Sequence, residues 1–115
     1  MAVGLGIAWV VAGVVVWLVG WAGSTGRLPR NHWAGLRLPS ITKSDEAWFT
    51  AHRVAGRWLQ GGGGLTAMMG VLLVLFSPSP TNADAISLVL VVILLATIIG
   101  AAAAGAQAAK KVEPE

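Results

Sequence analysis

Residues 55–76 read AGRWLQGGGGLTAMMGVLLVLF. Leu65–Phe76 is apolar but too short by itself, because an α-helix needs about 20 residues to cross a hydrocarbon core of roughly 30 Å. The run becomes a span only if the four glycines Gly61–Gly64 and the turn before them are helical too, starting near Ala55. Each interior glycine costs about 0.8–1 kcal/mol against alanine in a helix. Four together therefore mark either a hinge or a place where another helix packs closely, and the sequence leaves both open. Arg57, near the start of the span, would snorkel to the headgroups.

Two further uncharged runs flank this one. Ala2–Ala22 carries no charged side chain and lacks the basic start of a secretory signal, so it reads as an uncleaved first span. Trp17 and Trp21, four residues apart, suit the membrane interface. Ala85–Ala109 forms the third run, reached through the turn Ser77–Asn82 and followed by Lys110 and Lys111. Of the 115 residues, 56% are hydrophobic and only 11% charged, with a mean hydropathy of +0.73. About a quarter charged is usual for a soluble domain. The expected fold is all-α and integral to the membrane: three transmembrane helices at about 2–22, 55–76 and 85–109, forming one module over residues 1–115.

The segment 23–54 is different. Gly23–Ser44 holds Arg27, Arg30, Arg37 and Lys43 with Pro29 and Pro39. Thr42 or Ser44 can cap a helix whose first turn contains Asp45 and Glu46, where acidic groups suit the dipole. From Asp45 to Gln60 the pattern is amphipathic. Glu46, Thr50, Arg53, Arg57 and Gln60 share one stripe and Ala47, Ala51, Val54 and Trp58 another, as in an interfacial helix leading into the second span. All eight Lys and Arg residues lie in the first loop, this helix or the C-terminal tail, and the second loop has only Asp84. The positive-inside rule then places the N-terminus outside and the basic segment and C-terminus in the cytoplasm.

Small residues offer packing stripes: Gly6, Gly13 and Gly20 at seven-residue spacing in the first span, and Gly100 with Ala104 in the third. Chemistry is sparse. Cysteine is absent, and His32 and His52 are the only histidines, too few with Asp45 and Glu46 for a metal site. His52 reads as a helix-surface hydrogen-bonding or stacking residue, one turn after Trp48. Ser40 and Ser44 sit in no nucleophile motif, and the span interiors lack the acidic and basic residues of an ion pathway. No enzymatic activity, cofactor or metal is expected. The net charge of +3 sits beside the spans, so anionic lipid is a better partner than nucleic acid. Arg27, Arg30, Arg37, Arg53 and Arg57 can gather around anionic headgroups, with Trp33, Trp48 and Trp58 at interface depth.

Pro29-Arg30-Asn31-His32-Trp33-Ala34-Gly35-Leu36-Arg37-Leu38-Pro39, followed by Thr42, Ser44, Trp48, His52-Arg53 and Gly56, resembles the SdpI family of small bacterial multi-pass membrane proteins. Leu38 stands where a Thr often occurs. The family's namesake is an immunity protein against a secreted sporulation-delaying toxin that also sequesters a repressor at the membrane, and it has further N-terminal spans. The resemblance implies a bacterial plasma-membrane location and the three-helix module. With the reading of the residues, it singles out Arg27, Arg30, Asn31, Arg37, Trp48, His52, Arg53 and Arg57 as the partner- or lipid-binding set. The expected function is non-enzymatic: a cytoplasmic-face motif that binds a protein partner or anionic headgroups. The alternative is a small accessory subunit, packed by its small-residue stripes into a homo-oligomer or a larger complex of membrane chains.

Overall fold

A computed structural model describes residues 2–31 and 35–112. They form four helices: α1 Ala2–Ser24, α2 Pro39–Thr42, α3 Asp45–Phe76 and α4 Pro80–Lys110. There is no strand among the described residues. The three long helices are each long and apolar enough to cross a membrane, and the bundle measures 53 × 21 × 20 Å. The chain is an all-helical membrane protein.

The amphipathic stretch from Asp45 runs into the second span without a break, giving one helix of 32 residues. At 1.5 Å per residue it is about 48 Å long, so its first ten or so residues stand beyond a 30 Å core. Its start is fixed by Ser44, whose Oγ accepts the Ala47 N–H at 3.0 Å, and by Asp45 and Glu46 in the first turn. It stops at Ser77, which turns left-handed (φ 42°) and donates its N–H to the Leu73 carbonyl. Ser79 then caps α4, accepting from the Asn82 N–H, with Pro80 in the first turn.

Helix α3 is the centre of the bundle. It packs along α1 on one side and α4 on the other, whereas α1 and α4 barely touch. The α1–α3 seam is made of backbone. Gly6 meets Gly70, Gly13 meets Gly63 and Ala67, and Gly20 meets Gly56, so seven-residue steps on one helix face seven-residue steps on its antiparallel neighbour. A Cβ added at Gly63 would lie 2.6 Å from the Trp17 nitrogen and 2.7 Å from the Gly13 oxygen; one at Gly70 would meet Val10 and Gly6 just as closely. Lipid gives no hydrophobic drive for helices to associate, so close backbone approach supplies the dispersion contact instead. The seven-residue period is that of a left-handed crossing.

Two of the four glycines, Gly62 and Gly63, are close-packing positions. Gly63 faces α1, Gly62 leaves room for the Thr97 side chain of α4, and the helix runs on through all four residues. On α4 the buried stripe is Ala101, Gly105 and Ala109, with Gly105 against Ala51, while Gly100 lies beneath the Trp58 ring. The hydroxyls of Thr66 and Thr97 are satisfied by carbonyls one turn back, and the Trp9 indole donates to Ser87 Oγ at 3.0 Å across α1 and α4. One expectation shifts. The buried stripe of α3 includes Ala47, Trp48, Ala51, His52, Ala55, Gly56 and Leu59, whereas Val54 and Trp58 are exposed. The stripe rotates because α3 has neighbours on two sides and turns its small residues toward both.

Candidate functional site at the basic end of the bundle

Antiparallel packing brings the C-terminal ends of α1 and α4 and the N-terminal end of α3 together. This end carries Arg27, Arg30, Arg37, Lys43, Arg53, Arg57, Lys110 and Lys111, and Asp84 lies at the other. Between α1 and α2 the chain folds back over the bundle as a wedge. Leu28 and Ile41 are buried with Ala47, Trp48, Ala51 and Ala109, and Leu36 packs both on that cluster and on the one around Ala55, Leu59 and Ala101. The wedge reaches the gap between α1 and α4, where an apolar cavity of about 200 Å³ is lined by Val15, Val16, Val19, Gly35, Leu36, Leu59 and Ile98.

Non-helical backbone buried in this way must find its hydrogen bonds within the protein. Two α3 side chains one turn apart supply them. The Trp48 indole N–H donates to the Leu28 carbonyl at 2.9 Å, and His52 Nε2 accepts the Leu36 N–H at 2.9 Å. His52 Nδ1 lies 2.8 Å from the Trp48 carbonyl oxygen. Since Nε2 must be bare to accept, the imidazole is neutral with its proton on Nδ1, donated to that carbonyl. The two rings stack with centroids 4.2 Å apart. Glycine is needed opposite them: Gly35 has φ +104°, and a Cβ there would lie 2.7 Å from His52 Nε2 and 3.0 Å from the Trp48 ring. Gly23 of α1 gives the same clearance behind, against the His52 carbonyl.

Trp48 is 0% and His52 1% exposed. His52 is therefore not the helix-surface residue expected from the amphipathic pattern, although it does hydrogen-bond and stack as anticipated. Folding the wedge over α3 encloses it. Burial pushes its pKa below the ordinary value of 6.5, and the hydrogen bond to the Trp48 carbonyl opposes this more weakly. His52 is the eighth residue of α3, ahead of its uncharged run at 58–76. Neither side chain has surface left for a ligand; both hold the wedge that presents the other residues.

Those others lie at the surface. Arg27 stacks over the Trp21 indole at 4.8 Å. Arg53 and Arg57 stand with Trp58 on an exposed face of α3. Arg30 reaches Asp45, Nε to Oδ1 at 3.3 Å, and donates from Nη1 to the Thr42 carbonyl at 3.3 Å. Asn31 donates to the Pro29 carbonyl at 2.6 Å. Arg30, Asn31, Arg37 and Thr42 together line a polar cavity of about 270 Å³. The expected set thus separates into two scaffold residues, Trp48 and His52, and six surface residues, three of which share a cavity. Gly35, within the Pro29–Pro39 run, seats the site against Trp48 and His52; Leu28 and Leu36, which the sequence pattern did not single out, seat it as well. His32 and Trp33 lie outside the described residues. Among the described residues no group of acidic, histidine or cysteine side chains could hold a metal ion.

No curated protein and no solved structure shows significant similarity to this chain. A family model does match: that of the SdpI/YfhL protein family, over residues 27–104. The match begins at Arg27, takes in the whole wedge, α2 and α3, and extends well into α4. On this evidence the chain belongs to the SdpI/YfhL protein family.

Proposed function

We propose that this chain is a non-enzymatic membrane protein whose basic end binds anionic lipid headgroups from the cytoplasmic side of a bacterial plasma membrane. The observation that carries this reading is the division of labour in the wedge. Buried side chains are spent on holding its backbone, while Arg27, Arg37, Arg53 and Arg57 are left exposed around the end of the bundle. The cytoplasmic assignment follows from the positive-inside rule, since all eight basic residues fall at that end. Each basic residue near an anionic surface contributes about 1 kcal/mol.

Native mass spectrometry of the chain released from mixed phosphatidylglycerol and phosphatidylcholine micelles tests the proposal. Retained lipid is expected to be enriched in phosphatidylglycerol. Replacing Arg27, Arg37, Arg53 and Arg57 together by Gln is expected to remove most of that enrichment, and raised salt to weaken it. Equal retention of the two lipids by the wild type would contradict the proposal.

A further inference from the structure

The polar cavity differs from the rest of the basic surface. Arg53 and Arg57 share a concavity of about 350 Å³ with the apolar Val54 and Trp58 along one helix, whereas Arg30, Asn31, Arg37 and Thr42 converge from the α1–α2 segment and α2 on a polar one of about 270 Å³. Arg30 is oriented in advance by Asp45 and by the Thr42 carbonyl. Arg37 has no hydrogen bond or ion pair among the described residues, yet its backbone is held on both sides. The preceding Leu36 N–H is fixed on His52, and Pro39 opens α2 two residues later. A guanidinium on a fixed base presents a planar fork suited to two phosphate oxygens.

The charge balance narrows the ligand. Among the described residues Asp45 pairs with Arg30, which leaves Arg37 as the lining cation without an ion-pair partner, and this matches a monoanion better than a dianion. A phosphodiester carries a single negative charge, whereas a phosphomonoester carries about −1.5 to −2 at neutral pH. An apolar cavity adjoins the site along the chain, since Leu36, next to Arg37, lines the one between α1 and α4.

We propose that the cavity formed by Arg30, Asn31, Arg37 and Thr42 is a discrete site for one phosphodiester monoanion, of the phosphoglycerol headgroup type. This deepens the anionic-lipid reading and rests on it. Arg37 is the principal contact, Arg30 is the oriented second donor, and Asp45 sets the charge preference.

The test is a native mass spectrometry titration of the full chain with phosphatidylglycerol, phosphatidic acid and, as a water-soluble arm, glycerophosphoglycerol. One phosphatidylglycerol is expected to be held more tightly than the rest. Its affinity should fall at least tenfold in Arg37→Gln and stay within about twofold in Arg53→Gln, which removes the same charge from the concavity shared with Val54 and Trp58. Asp45→Asn should shift preference toward phosphatidic acid, a change that a merely structural role would not produce. Binding of glycerophosphoglycerol with the same Arg37 dependence would support the site and assign it a soluble source. Equal losses in the two arginine variants, or none in Arg37→Gln while enrichment persists, would overturn this site and leave the broader reading standing. Absence of any phosphatidylglycerol enrichment in the wild type would overturn both.

Discussion

Replacing Gly13 by Leu is expected to separate α1 from α3, lowering the stability of the bundle by about 3 kcal/mol or more. Gly13 has no room for even a Cβ, which would fall on the backbone of Gly63 and Ala67. Relief requires moving one whole helix off the other, and the seam at Gly6–Gly70 and Gly20–Gly56 opens with it. Gly63→Leu, from the opposite side of the same contact, should behave alike. Gly4→Leu is the control, because a Cβ at Gly4 meets nothing within 4 Å although it lies on the same helix. Unfolding of the purified variants in detergent measures the difference. Equal stability of the Gly13 and Gly4 variants would refute the close-packed seam.

Trp48→Ala is expected to be the most damaging change at the basic end, costing about 3–5 kcal/mol. Truncating a fully buried Trp typically costs that much. Here it also leaves the Leu28 carbonyl without its donor and strips the stacked face from His52. The wedge loses both a peg and a wall, so proteolysis within residues 27–44 should accelerate along with the fall in stability. Trp58→Ala should cost far less, since that indole is 51% exposed and covers Gly100 from outside. Trp48→Phe keeps most of the buried surface but loses the indole donor, and should fall between the two.

The spans were legible because a bilayer demands long uncharged runs, and three such runs are plain in the chain. The seam was half legible. Gly6, Gly13 and Gly20 announce a stripe, but their partners are disguised: Gly56 sits beside Arg57, and Gly63 is hidden within the tetraglycine. Only antiparallel alignment of the helices shows that both stripes share one period. The role of His52 was not legible, because a histidine on an amphipathic helix reads as surface until something folds over it. What covers it, Gly35 and Leu36, lies 16 or more residues earlier and is set by the left-handed turn at Gly35. Likewise the arginines could be named from sequence as a group. Sorting Arg30 and Arg37 into one polar cavity, and Arg53 and Arg57 into another shared with Val54 and Trp58, took the tertiary fold.

A neutral His52, buried beneath the wedge, holds the site together. Its folded pKa is lowered, so the unfolded chain takes up the proton first as pH falls. The contribution of His52 to stability is complete above about pH 6.5 and is lost as pH drops through the folded value. Protonation would also place a second N–H against the Leu36 N–H. The direct measurement is the imidazole nitrogen spectrum of ¹⁵N-histidine-labelled protein, with His52 assigned by the signals lost in His52→Asn. The expected result at pH 7 is a neutral ring protonated at Nδ1 with Nε2 accepting, persisting below pH 6.5 until the wedge opens. A ring protonated at Nε2, or one titrating freely at or above 6.5 with the bundle intact, would contradict the account.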